Sequence, residues 1–264
     1  MNRRSWALLL FGAWQARGQT EAARLEAEAV AAVRAGDGRA MAALTERLKD
    51  RDFLRRLDPP EGAVTPVVRL GRVFEAMRLR PTAGTEALCV ALARNAEFRS
   101  VAARMNGLLG ALAARRPMTE AGAAVMAEAA RAGFWEPVGI ALGENGSARA
   151  MAVLEALLTD EASPAAGRVQ LAHRVIPARR VHVEMLRLCV RVAGRAELSA
   201  AVAAGVGESV FLYEPREWFG ASAPAVAPPD LATARGEARE ALRALGNVIR
   251  QRPGMPVALL KAIR

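Results

Sequence analysis

The chain is poor in the residues that most catalysis and metal binding draw on. Its 264 residues include two histidines, two cysteines and one tyrosine, and aromatics make up 5% of the whole. His173 and His182 have no cysteine, carboxylate or further histidine at ligand spacing around them, and a zinc or di-iron centre needs at least a third convergent ligand. Each reads as a structural histidine. Phosphate loops are missing too: Gly36-Asp37-Gly38 and Gly205-Val206-Gly207 lack the following pattern and a preceding strand. There is no Gly-x-Ser-x-Gly elbow. A long-range pair of acid–base carboxylates is the one chemistry that spacing does not address. No metal or other cofactor is implied. No run approaches the roughly 20 apolar residues of a membrane span, and alternation of β-branched and aromatic residues is nowhere sustained, so the chain reads as all-α. Cys89 and Cys189 each lie in an apolar helical run and read as buried small hydrophobes rather than a disulfide.

What the chain does have is alanine, arginine and helical periodicity. Hydrophobic residues make up 52%, enough for a core, and the alanine excess predicts helices packed closely through small side chains. The net charge is +10 and the pI about 11.1, which favours acidic partners such as nucleic acid or an anionic surface. Of the 37 basic residues all but Lys49 and Lys261 are arginine. With the alanine excess this resembles a GC-rich coding bias, and a solvated arginine-rich surface accounts for it without a partner.

The N-terminus carries two readings. Asn2-Arg3-Arg4 forms a basic n-region, Trp6 to Trp14 a short apolar h-region, and Ala16-Arg17-Gly18 supplies small residues before Gln19, the pattern of a cleaved export signal over residues 1–18. Export is slightly favoured over a cytoplasmic location. The alternative is an amphipathic first helix docked on the rest, which the polar Trp14-Gln15-Ala16-Arg17 suits.

Beyond it, helices are predicted over Glu21–Arg34, with Leu25, Ala29 and Val33 on one stripe, and from Arg39 to about Arg56. Thr65-Pro66 opens the next, which buries Val67, Leu70, Phe74 and Met77. Its partner runs Thr85–Asn95. Further pairs are Glu97–Arg116 with Thr119–Ala132, Trp135–Leu142 with Ser147–Thr159, Pro164–Ile176 with Ala178–Ala193, and a weaker Ala196–Ala204 with Glu208–Glu214. Pairs restart near residues 65, 97, 134, 164 and 196, a solenoid-like period. A Pro/Ala linker over 221–229 separates this repeat domain, residues 19–220, from a C-terminal helical element, 230–264, suited to cap the open end of an array.

The run Gly146-Ser147-Ala148-Arg149-Ala150-Met151-Ala152-Val153-Leu154-Glu155-Ala156-Leu157-Leu158 is similar to the second helix of a HEAT repeat, and over residues 134–195 the chain resembles a HEAT-type α-solenoid. The resemblance implies an array of antiparallel helix pairs wound into a right-handed superhelix. The Asp and Arg ladder positions of that family do not recur at a fixed place, and no His-Glu dipeptide matches the iron-binding pairs of the HEAT-like hydroxylases. An irregular helical bundle is the alternative architecture.

One helix invites a binding role. After Pro177, Arg180, Arg187, Arg191 and Arg195 share a narrow sector with Glu184, while Val181, Met185, Leu188 and Val192 fill another. Such a stripe suits bidentate binding of carboxylates or phosphates, or is simply a solvated face with Glu184 paired to its neighbours. The expectation is a non-enzymatic scaffold that binds a protein partner over an extended surface. The alternative is nucleic-acid binding of the kind found in HEAT-like alkylpurine glycosylases, with Arg187, Arg191 and Trp135 as the cationic and stacking contacts.

Overall fold

The computed structural model describes residues 21–57, 67–174, 183–212 and 231–263. The possible signal at 1–18, the Thr65-Pro66 start, Arg180, His182 and the 221–229 linker lie outside them. Among the described residues every regular element is a helix, and none of these helices is long and apolar enough to cross a membrane. The chain divides into two compact units, residues 1–112 and 113–264.

In the first unit, helix α1 (residues 21–35) buries the predicted stripe of Leu25, Ala29 and Val33. Asp37 then caps α2 (Gly38–Lys49), its carboxylate accepting from Arg39 N and Ala40 N at 3.3 Å each. The predicted single helix from Arg39 to Arg56 is in fact two. Asp50 takes an extended backbone (ψ 125°) and accepts from Phe53 N at 2.6 Å, so a second N-terminus opens at α3 (Arg51–Leu57).

Helix α4 (Val67–Leu79) precedes α5 (Ala83–Ala93), which Thr82 caps. The predicted Glu97–Arg116 helix is also interrupted. Asn95 caps a one-turn α6 (Ala96–Arg99), Ser100 Oγ donates back to Glu97 O at 2.7 Å, and α7 (Ala102–Ala113) begins afresh. Phe74 and Phe98 meet edge to face at 6.2 Å inside this unit.

In the second unit the helices expected to start at Thr119, Trp135 and Ser147 do so within one residue, while the second of them runs three residues past its expected end at Leu142. Thr119 caps α8 (Glu120–Arg131). Helix α9 (Trp135–Asn145) ends on Gly146 at φ 66°, the left-handed C-cap that glycine adopts without a Cβ penalty. Ser147 caps α10 (Ala148–Thr159). Helix α11 (Ala165–His173) follows Pro164, and α12 spans Val183–Ala193.

The predicted pair Ala196–Ala204 and Glu208–Glu214 is instead one helix, α13 (Ala200–Phe211). Gly205-Val206-Gly207 reads as a break, yet a Cβ on Gly205 would lie 3.0 Å from Ala172 Cβ, and one on Gly207 3.0 Å from Leu259 Cδ2. Tertiary packing needs those bare positions and overrides their low helix propensity. The chain ends in α14 (Leu231–Gln251) and α15 (Val257–Ala262).

These helices touch in an interleaved order. Helices α8, α10, α12 and α14 contact one another in succession, as do α9, α11 and α13, while chain neighbours such as α9 with α10 and α12 with α13 join the two rows. Within the α9 row the contacts advance in step. Trp135 lies over Gly167, Gly139 meets Leu171 and Arg174, and Gly205 meets Ala172 and His173.

Side chains tie the helix ends together. Asn145, fully buried, donates to Ala113 O and Arg115 O at 2.7 Å each, and its Oδ1 accepts from Ser147 Oγ at 2.6 Å. All its hydrogen-bonding capacity is thereby engaged, as a buried amide requires. Arg252 does similar work for the end of α12. It donates to Ala193 O at 2.8 Å, to Arg195 O at 2.7 Å, and to Leu198 O. Ala193 closes α12, so its carbonyl has no partner within that helix, while Arg195 O also accepts from Leu198 N at 3.2 Å; the cation suits the negative end of the helix dipole. Arg116 serves Glu144 O in the same way.

Candidate functional site

The arginines singled out on α12 lie at its exposed surface, and carboxylates from neighbouring helices meet them. Glu155, on α10, sits between two: its Oε2 accepts from Arg191 Nη2 at 2.9 Å and its Oε1 from Arg195 Nη2 at 3.1 Å. Arg195 lies two residues past the end of α12, and its side chain still joins the cluster. Arg187 turns the other way, pairing with Glu184 one turn back and with Glu237 of α14 at 3.3 Å. Arg187, Arg191 and Arg195 each keep between 41% and 51% of the side chain exposed, so the stripe is accessible while charge-matched. Arg180, the fourth member, lies outside the described residues.

The electrostatics follow from this geometry. The hydrogen bond from Arg191, then the nearby charges of Arg191 and Arg195 with the Arg195 hydrogen bond, hold the Glu155 carboxyl below its ordinary range, against an opposing contribution from burial. Between α12 and α14 runs an open groove of about 390 Å³. Val190, Ala241 and Ala244 form its apolar part, and Arg187, Arg191, Glu237 and Glu240 supply charge of both signs. Enclosed small-molecule pockets are mostly apolar with a few convergent polar groups. This groove is open to solvent and carries charge of both signs in its lining.

Other sequence candidates are placed as follows. Trp135 is only 5% exposed, because Gly167 of α11 leaves a bare backbone against its ring: a Cβ there would come within 2.3 Å of the indole. It is a core residue and offers no face to a base. Cys89 and Cys189 are buried and unpaired, and burial pushes each thiol up to about 12, far from the range of reactive cysteines. His173 Nδ1 stands 3.4 Å from Glu208 Oε2, within ion-pair distance, but is not oriented for a hydrogen bond. Among the described residues no three histidine, cysteine or acidic side chains converge as metal ligands.

Two features escaped the sequence reading. Arg168 on α11 is 8% exposed and its Nε has no hydrogen-bond partner; no sequence pattern signals that. The second is on α14, where Arg235, Arg239 and Arg243 are exposed and lie four residues apart. The helical-wheel test applied to α12 finds this stripe equally well. No family model, no curated protein and no solved structure matches the chain, so the functional reading rests on the geometry.

Proposed function

We propose that the second unit is a short HEAT-like α-solenoid of antiparallel helix pairs, wound right-handed, and that the protein is a non-enzymatic scaffold binding a protein partner across the exposed surface of its α8–α10–α12–α14 row. The observation that carries this reading is the interleaved contact order, in which each helix from α8 to α13 meets the helix two places on, and α8–α9, α9–α10, α10–α11, α12–α13 and α13–α14 also meet as chain neighbours. The in-step register from Trp135 with Gly167 to Gly139 with Leu171 supports it further, since like helices of successive repeats run parallel. A surface made of repeated helices, with exposed arginines and glutamates and a shallow groove, fits an extended macromolecular contact better than a small substrate. This functional step is an argument from fold and surface together.

The test is cross-linking of the full chain in its native cell, followed by mass spectrometry of linked peptides. The reading expects one protein whose links fall on α10, α12 and α14. Finding no linked protein, or links confined to residues 1–112, would overturn it. A duplex-DNA titration over a salt series addresses the nucleic-acid alternative: retention at low salt that falls steeply as salt rises would favour that alternative.

A further inference from the structure

We infer that α14 carries the binding site for an acidic helix of the partner protein, held by Arg235, Arg239 and Arg243. This rests on the scaffold reading above and specifies its partner's chemistry. Ion pairs at the surface join two successive junctions of the α8–α10–α12–α14 row. The α10–α12 junction is bridged by Glu155 with Arg191 and Arg195, and the α12–α14 junction by Arg187 with Glu237. At both junctions the arginines come from α12 or its end and the glutamate from the neighbouring helix.

Helix α14 divides its own charges by face. Glu237 and Glu240 line the groove toward α12. At 100° per residue Arg235, Arg239 and Arg243 fall within a sector of about 80°, with Glu237 nearly opposite Arg235. All three arginines are exposed, and among the described residues none has an ion pair or a hydrogen-bonded side-chain partner, whereas Arg187, Arg191 and Arg195 all do. Helix α14 is thus the arginine half of a junction whose glutamate half is absent among the described residues. Helix α15 does not supply it: its packing is on α13, and its one charged side chain is Lys261.

The geometry selects the occupant. Residues four apart are spaced about 6 Å along a helix axis, so glutamates at the same spacing on a helix laid alongside would face all three guanidinium groups in turn. At the α10–α12 junction a single glutamate, Glu155, already spans two arginines four residues apart, Arg191 and Arg195. No exposed aromatic side chain stands in this stretch of α14, so the face lacks the stacking platform that single-stranded nucleic acid uses.

The experiment uses the full chain and a fluorescent synthetic helical peptide, alanine-rich with glutamate at three positions four residues apart, at low and moderate salt. A second peptide has glutamine at those positions. The variant Arg235→Ser/Arg239→Ser/Arg243→Ser is compared with Arg39→Ser/Arg55→Ser/Arg99→Ser, which removes the same charge from exposed sites of the first unit. Circular dichroism checks that each variant keeps its helix content. The inference expects saturable binding of the glutamate peptide only. That binding weakens at least about tenfold in the α14 variant and less than about twofold in the other, and falls with salt. Equal losses in the two variants would reduce the effect to net charge and overturn the site. So would the absence of peptide binding, or displacement of the peptide by duplex DNA or anionic vesicles at matched charge. If a partner found by cross-linking stays bound to the α14 variant, this inference fails while the scaffold reading stands; if no protein partner exists, the scaffold reading itself fails.

Discussion

The two rows of the second unit both carry charged pairs between like helices, Arg174 with Glu136 at 2.8 Å and His173 with Glu208 at 3.4 Å in the α9–α11–α13 row, but they differ in how closely their backbones pack. In the α9–α11–α13 row, like helices meet through bare backbone and small side chains: Trp135 on Gly167, Leu171 on Gly139, Ala172 on Gly205. In the α10–α12–α14 row they meet with arginine–glutamate pairs at the surface. Close packing is intolerant of added volume, whereas half-exposed ion pairs contribute little stability each. The glycine contacts therefore fix the geometry of the α9–α11–α13 row, while in both rows the half-exposed charges can change at smaller cost.

Substitution at the tight contacts should cost most. Gly167→Val is expected to lower the stability of the second unit by about 3 kcal/mol in urea denaturation, since its side chain must displace the Trp135 ring. Adding Trp135→Leu should recover part of the loss, and strict additivity of the two changes would refute the contact. Next comes the end of α12, where Arg252→Met removes the guanidinium donor from Ala193 O and Leu198 O and leaves Arg195 O with Leu198 N alone. A loss of about 2 kcal/mol is expected, with carbonyls that water can reach softening it.

The charged pairs should respond less, and in a pH-dependent way. Glu155→Gln is expected to cost about 1 kcal/mol near neutral pH. Because the folded carboxyl lies below its ordinary range, the stabilisation is complete above the unfolded value of about 4.3 and disappears as pH falls through the folded one. The gap between variant and parent should therefore close in acid. A gap that persists there would show that Glu155 acts by packing. Smallest of all is Arg168→Met, which removes a buried cation with an unpartnered Nε and is expected to change stability by less than about 1 kcal/mol in either direction. A large loss would mean that Arg168 holds a partner through water.

How much of this was legible in the sequence depended on where the deciding atoms lie. The starts of α8 and α10 were readable because Thr119 and Ser147 act on backbone three residues on, whereas α9 was expected to stop at Leu142 and runs on to Asn145, where Gly146 turns the chain. Asp50 is just as local a signal, but it stands inside an unbroken apolar stripe and the stripe masked it. The unity of α13 was not readable, because the residues that demand Gly205 and Gly207 come from α11 and α15. The same holds for the arginine face. Periodicity correctly grouped Arg187 and Arg191 on α12, while the carboxylates that meet them arrive from Glu155 and Glu237, on helices before and after it. The α14 stripe was available from spacing alone.

Arg252 has a dynamic consequence. Its guanidinium grips carbonyls that precede it by 54 to 59 residues, so the C-terminal end of α14 and the 193–198 turn cannot open separately without stranding charge or carbonyls. Amide exchange in the two segments should follow a single opening event, with closely matched protection, and the chain's end is thereby stitched into the cooperative core instead of fraying from it.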